Sequence, residues 1–487
     1  MADLLSIGKT GLMVSKKSLE TTGHNIANAS TEGYSRQRVN VETNNPISTS
    51  GLVFGTGARV RDVSLTHDPF VEKRLQSTTT AFNYFDQRTK KLTEVENIFN
   101  EIDNEGLNKV LNKFFNAFRD LANQPENETV RSVVRDTAGL VVKDFKRIRG
   151  TLDAISRSVD NKIKSEVNDL NESIKHIAKL NKQIAELEVF GGETGDFRDQ
   201  RETHMRTLSE SFQIHTFEDE KGSFNVMAKN VGSLVSGTQY QELAAGRVQK
   251  KDSSNNMDGS MEIYFKNRPG QKITHRFKSG KIQGLFQVRN GEVQDLQKSI
   301  DKIAYNLMQA VNAVHRRGFV NREIKVDQAG NPAKFDAQGP LTNIDFFDLP
   351  NQEEEAATNI KINNIIMEDS RNIATGMTPN GPGDNRIALG VSKLQHERIL
   401  DGGKATLEEA FLETIGSIGL ETGKAKFDRE QAEGILVQTK NIKDRISGVS
   451  IDEETANMVR YQHVYQASAK VMQTANTLFD TVLSIKR

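Results

Sequence analysis

Apolar residues at both ends of the chain recur at intervals of three and four. Over residues 3–28 the series Leu5, Gly8, Leu12, Ser15, Leu19, Thr22 and Ile26 alternates large and small side chains along one helical face. Such a seam permits a second helix to approach closely. The polar turn Asn28-Ala29-Ser30-Thr31-Glu32-Gly33 follows, and Gly33 is a natural stop because it takes positive φ at little cost. At the other end Ser450 and Glu453 read as a capping box. Beyond them Met458, Tyr461, Tyr465, Ser468, Met472, Ala475, Phe479 and Val482 repeat at three and four, with Val464, Val471 and Leu478 widening the stripe. The predicted helix has about 37 residues, or roughly 55 Å at 1.5 Å per residue. A helix this long with one apolar stripe needs a partner. The two ends are therefore expected to pair as a coiled coil, packing Leu5, Leu12 and Leu19 against Met458, Tyr461, Tyr465, Met472 and Phe479.

Between the ends the period changes twice. Residues 71–123 read as helix, interrupted at Asp103-Asn104-Glu105-Gly106 and ended by Pro125. Residues 129–189 are again helical. There Val167, Leu170, Ile174, Ile177, Asn181 and Ile184 keep heptad spacing, with Asn181 as a polar core position able to fix register. Alternation then takes over in 212–217 and, after a turn at Gly222, in 224–228, with further strands expected at 261–265 and 272–277. Residues 285–317 return to helix, 318–384 are loop-rich up to the Asn380-Gly381-Pro382-Gly383 punctuation, and 385–447 are helical. The expected fold is mainly α with an inserted β-domain, elongated and multidomain. It has a terminal coiled-coil assembly domain (1–40 and 445–487) and a nested helical bundle domain (41–211, 285–317 and 385–444). A β-rich outer insert (212–284) completes it, with 318–384 assigned to the same outer region.

Composition narrows the function. The 487 residues suggest about three domains. Lys+Arg and Asp+Glu are equal at 65, so nothing points to nucleic acid or an anionic membrane as the main partner. The apolar share of 36% and aromatic share of 6% favour thin cores over one large globule. With no Cys, disulfides, Cys-ligated zinc, iron–sulfur clusters and thiol nucleophiles are excluded. No run of 18 apolar residues is present, so no membrane insertion by a helix is expected. The start, Met1-Ala2-Asp3-Leu4-Leu5, does not read as a cleavable secretory signal, which leaves the cytoplasm or another export route. Gly8-Lys9-Thr10 and Gly423-Lys424-Ala425 look like the end of a phosphate loop, but Asp3 and Ile418 stand where its first glycine belongs. His396-Glu397 lacks the second His of a zinc pair, and no G-x-S-x-G elbow occurs. No catalytic residue, cofactor or metal is expected, and the chain is not expected to be an enzyme.

One string is specific. Asn25-Ile26-Ala27-Asn28-Ala29-Ser30-Thr31-Glu32-Gly33-Tyr34-Ser35-Arg36 resembles the N-terminal signature of the bacterial flagellar rod, hook and hook-associated proteins. Ser447-Gly448-Val449-Ser450-Ile451-Asp452-Glu453-Glu454, with Tyr461-Gln462 and Tyr465-Gln466-Ala467-Ser468-Ala469-Lys470, resembles the C-terminal part of the same superfamily. The Gly-Tyr-Ser-Arg ending, the Asp-Glu-Glu run and Ala467-Ser468 (rod and hook proteins usually have Ala-Asn) resemble its hook-associated branch. Internal strings agree in order: Asp199-Gln200-Arg201-Glu202, Gly222-Ser223-Phe224-Asn225-Val226, Ser279-Gly280-Lys281-Ile282-Gln283-Gly284-Leu285 and Ala310-Val311-Asn312-Ala313-Val314-His315. Two departures stand out: the family more often has Asp at the position of Glu202, and 319–384 match poorly.

The resemblance implies a structural subunit at the hook–filament junction, needed for filament assembly and motility. It implies extracellular placement in the flagellum after type III export without a cleavable signal peptide. Implied partners are further copies of the chain in a ring, the hook protein, a second hook–filament junction protein and a cytoplasmic export chaperone that holds the C-terminal segment. The assembly motif is then Asn25, Ile26, Ala27, Asn28, Thr31, Gly33, Tyr34, Ser35 and Arg36, and the chaperone-binding candidates are Val464, Val471, Leu478 and Ile485, spaced by seven. Two alternatives remain at this point: a hook protein of the same superfamily, and a non-flagellar coiled-coil scaffold or adhesin.

Overall fold

The computed structural model describes residues 2–31, 33–49, 52–99, 106–190, 192–219, 223–247, 261–320, 325–326, 332–336, 341–378, 383–400 and 402–485. The Asp103-Asn104-Glu105 interruption, the turn at Gly222 and the Asn380-Gly381-Pro382 punctuation lie outside these residues, as does the side chain of Ile485. The fold is mainly α with small antiparallel sheets. In chain order the helices are α1 (Ala2–Ala27), α2 (Pro69–Glu96), α3 (Leu107–Asn123), α4 (Glu128–Val189), α5 (Gly195–Ser211), α6 (Gly280–Gln287) and α7 (Gln294–His315). They continue with the short α8 (Ala356–Asn359) and α9 (Asn364–Glu368), then α10 (Arg386–Lys393), α11 (Leu407–Ser447) and α12 (Ile451–Ile485). Two compact units form, one from 1–85, 163–283 and 429–487, the other from 86–162 and 284–428.

The first unit holds the sheets. Strands β1 (Gln37–Thr43), β2 (Ile47–Thr49), β3 (Leu52–Phe54) and β4 (Ala58–Leu65) make two antiparallel pairs, β1 with β4 and β2 with β3. The sequence reading placed these residues in the helical bundle domain and predicted no strands for them. Side chains on both faces of β1 and β4 are at most half-buried, so the hydrophobic alternation that announces a strand is weak here. Next come β5 (Ile214–Glu218), β6 (Phe224–Ala228), β7 (Gly232–Ser236) and β8 (Gln239–Tyr240), a four-stranded meander. Then β9 (Leu243–Arg247), β10 (Met261–Phe265) and β11 (Arg268–Lys272) form a three-stranded sheet. The expected strand over 272–277 is instead the end of β11 and a single 3-10 turn at Thr274–Arg276.

Asparagines of α4 fasten both sheets. Asn171 pairs with the backbone N–H and C=O of Leu243, both at 2.8 Å. Asn181 donates to the carbonyls of Phe224 (3.1 Å) and Gly237 (2.7 Å) and accepts from Arg201 (3.0 Å), whose guanidinium lies 3.7 Å from the Phe224 ring centroid. Asn181 is therefore a clasp on the meander and not a register-setting group in a helical seam. A buried amide is stable only where its donors and acceptors are paired, and strand ends supply the partners. Gly280, at φ +85°, closes the corner before α6, where a Cβ would collide with the Ser211 carbonyl.

The second unit has an aromatic core. Leu107, Val110, Leu111, Phe114, Phe118 and Leu121 of α3 are buried on one face. Phe114 and Phe118 meet Phe346 edge-on or tilted at 5.9 and 5.5 Å, and Phe346 meets Phe347 at 4.9 Å. The loop carrying these two rings is held by α7. Asn312 accepts from the N–H groups of Phe346 and Phe347 (2.9 Å each) and donates to the Phe347 carbonyl (2.8 Å). One turn on, His315 donates through Nδ1 to the Ile344 carbonyl (2.8 Å) and accepts at Nε2 from the Ala374 N–H (2.9 Å). These bonds require a neutral ring, and burial pushes its pKa from 6.5 to about 4. Arg131 of α4 binds the carbonyls of Pro125 and Ile373, and Thr375. The loop-rich stretch is thus tied down by side chains of α4 and α7. The helix expected over 385–447 breaks at Leu394–Thr406, where Gly402 (φ +69°) and Gly403 (φ +88°) take left-handed conformations.

Two outcomes follow for this unit. Asn312→Ala leaves two buried N–H groups and a carbonyl without partners and is expected to lower unfolding stability by about 3 kcal/mol or more in urea titrations. His315 is held neutral, so between pH 6.5 and about 4 only the unfolded chain takes up its proton. Its contribution is intact above pH 6.5 and declines as pH falls toward 4, by about 3 kcal/mol in all. Denaturation of wild type and His315→Gln across that range should show the stability difference shrinking with acid.

Candidate functional site

The turn that leaves α1 is built around Asn25. Its side chain is buried and makes four hydrogen bonds. It accepts from the Tyr34 hydroxyl (2.8 Å) and the Gln37 N–H (2.9 Å), and it donates to the Gln37 carbonyl (2.9 Å) and to Glu454 Oε2 (3.0 Å). Four is the full capacity of an asparagine amide, so every polar atom is matched. The hydroxyl of Tyr34 also lies 3.0 Å from His24 Nδ1. Burial, with Asp196, Asp199 and Glu454 nearby, raises the phenol pKa, which keeps the donor in place.

Arg36 carries the second set of ties. It reaches Glu454 at 2.6 Å and Glu453 at 2.8 Å, both in the first turn of α12. Its backbone N–H donates to the Ser447 carbonyl at the end of α11 (2.9 Å), and its carbonyl accepts from Thr66 (2.7 Å). The N–H of Ser35 donates to Asp199 of α5 (2.9 Å), a carboxylate whose pKa burial raises. Gly33 has φ +88°, and a Cβ would stand 2.9 Å from Thr203 Oγ1, so both conformation and space call for glycine. Of the motif, Asn25, Gly33, Tyr34, Ser35 and Arg36 form this knot. Asn28 and Thr31 brace the turn through a 3.2 Å bond, Ile26 is half-buried, and Ala27 and Thr31 are exposed. Ser450 caps α12 as expected, its hydroxyl accepting from the Glu453 N–H (3.4 Å), but the Glu453 carboxylate is spent on Arg36.

The helix pair itself differs from the expected seam. On α1 the buried positions are Gly8, Ser15, Ser18, Thr21, Thr22 and Asn25. A Cβ on Gly8 would lie 3.2 Å from the Met472 backbone N, and one on Gly11 would lie 2.7 Å from Ser468 Oγ. The small side chains face α12 and let the backbones approach, so the large ones cannot enter the contact. Leu12, Leu19, Met458, Tyr461 and Met472 are half-buried at its margins. Leu5, Tyr465 and Phe479 are 41%, 41% and 54% exposed, which corrects their assignment as packing residues within the chain. Val464, Val471 and Leu478 are exposed too.

Sequence reasoning missed Asp199, Glu453 and Glu454 as partners of the motif. Asp199 and the Asp-Glu-Glu run are recognisable as strings, but nothing along the chain says which basic group or N–H they meet. Among the described residues no cluster of three or more His, Asp or Glu could hold a metal ion, and no helix is long and apolar enough to cross a membrane.

Comparison with known proteins agrees with this geometry. Residues 92–331 match the family model of the flagellar hook-associated protein FlgK helical domain, and residues 445–485 match the C-terminal model of the flagellar basal body rod FlgEFG proteins. A flagellar hook-associated protein 1 of Bacillus subtilis is 28% identical, covering 99% of this chain and 97% of its own. The protein of that name from Escherichia coli is 22% identical over the whole of both chains. In fold, the chain is similar to the flagellar hook junction protein FlgK from Burkholderia pseudomallei, with a TM-score of 0.62 at 13% identity over 77% of this chain and all of the other. Twin family matches at the helical domain and the C-terminal helix, with end-to-end relatives of one name, place the chain in the flagellar hook-associated protein 1 family.

Proposed function

We infer that this chain is the structural subunit of the hook–filament junction of a bacterial flagellum, required for filament assembly on the hook and hence for motility. The observation that carries the reading is the terminal helix pair. Its inner contact is filled by glycine, serine and threonine, and the turn that joins it to the rest of the first unit is locked by Asn25 and Arg36. Its large apolar side chains, Leu5, Val464, Val471, Leu478 and Phe479, stand outward. Apolar surface left on a helix pair is a surface for other chains. In a ring of copies each outward stripe is buried by a neighbour, and the hook protein and a second junction protein bury it above and below. Before export the same stripe needs a cytoplasmic chaperone, and Val464, Val471 and Leu478 are the residues it would cover. The relatives are structural flagellar proteins, so the chain's role is to connect and not to catalyse. Export would follow the flagellar type III route.

A deletion strain tests the reading: hooks should persist, filaments should be lost and flagellin monomers should appear in the medium. Intact filaments in that strain would overturn it. Complementation with Val471→Asp together with Leu478→Asp should leave hooks bare. The same double variant should keep the wild-type melting temperature within about 2 °C, because exposed positions contribute little to the fold, and should lose the export chaperone in pull-downs. Asn25→Ala acts on the knot instead. It leaves Gln37 and Glu454 with unmet bonds and is expected to cost about 2–3 kcal/mol in the first unit. Motility should then fail while the second unit keeps its own unfolding transition.

A further inference from the structure

Helix α11 presents an outer face that the knot and the terminal pair do not use. Leu412, Leu420 and Phe427 are 51%, 72% and 67% exposed, while Phe411, Ile418 and Ala425 on the opposite side are buried. Spacings of eight and seven put the three exposed residues on one side of the helix. Gly416, Gly419 and Gly423 lie between them, and a Cβ at any of the three would meet nothing within 4 Å. Glycine weakens an exposed helix interior. Among the described residues nothing occupies the space these three leave, but a second helix could.

Charge selects the occupant. Glu413 and Lys424 are exposed, lie on the same flank of this face, and stand six residues before and five after Gly419. Two copies of α11 laid antiparallel about a two-fold axis near Gly419 bring Glu413 of each against Lys424 of the other, twice. The same axis sets the Leu420 side chains together and lets Leu412 enter over Gly423 of the second copy. Parallel pairing would forfeit both ion pairs. Glu409 and Glu430 approach each other at the outer margins and limit the contact to 412–427. We propose that the outer face of α11 is a self-complementary surface on which a second copy of this chain docks antiparallel. The contact is short, about 24 Å of helix, so the dimer belongs to the weak, transient class. An antiparallel pair has no place in a ring whose copies all point one way. The dimer is therefore a soluble form that competes with assembly.

The absence of Cys from the chain makes the test clean. Leu420→Cys in the full-length protein should give a covalent dimer under mild oxidation, because its two copies meet at the axis, whereas Glu430→Cys should not. Sedimentation at up to millimolar concentration should show a wild-type dimer that Glu413→Lys or Lys424→Glu weakens at least tenfold. The double exchange Glu413→Lys with Lys424→Glu should restore it, since each ion pair re-forms with reversed sign. Circular dichroism of each variant establishes that it is folded. A wild-type monomer at all concentrations, equal cross-linking at 420 and 430, or a double exchange no better than either single one would each overturn the proposal.

Discussion

The close approach of α1 to α12 is the constraint on which the rest of the first unit depends. Gly8 and Gly11 let the α12 backbone come within contact of the α1 backbone, and serines and threonines fill the remainder. Such a contact buries little apolar area, so by itself it is weak. Its direction and register come from the end of the pair nearest the body, where Asn25 and Arg36 bind Glu453 and Glu454. The charges there sit in a partly dry setting, and each has a geometrically matched partner, the condition under which a buried ion pair holds its place. From that clamp the two helices run on with their large side chains turned outward.

This division of labour separates folding from assembly. The polar knot is satisfied within one chain and needs nothing from outside. The outward Val, Leu and Phe side chains are unsatisfied within one chain and gain only when another protein covers them. The fold of the pair is thus complete within one chain, while its large apolar side chains stay exposed.

The second unit follows a different rule. Its stability rests on a ring cluster in the apolar core and on Asn312 and His315, which hold an irregular loop over that cluster. A loop of this kind needs side chains to satisfy its backbone, because it has no ladder of its own. The Ala-Val-Asn-Ala-Val-His string does the holding, and the loop supplies carbonyls and N–H groups that almost any sequence provides.

Periodicity determined most of where the long helices run and that several strands of the β-insert alternate, and glycine's freedom at positive φ marked Gly33 as the end of a turn. The string from Asn25 to Arg36 contains the residues that form the polar knot. What periodicity could not reveal was which face of α1 turns inward. A heptad stripe records that large and small residues alternate, but whether the leucines or the glycines meet the partner depends on how close the second backbone comes, and that is settled only when both helices are in place. Asn181 shows the same limit: a polar residue at a core spacing fits a helical seam and a sheet clasp equally well, and only the arrival of Phe224 and Gly237 chose the clasp. The β1–β4 pair escaped because neither of its faces is deeply buried, so the alternation it left is weak. Arg36 and Glu454 are more than four hundred residues apart in the chain, and the bond between them exists because two distant helices share one end, a fact of tertiary structure that local pattern does not contain.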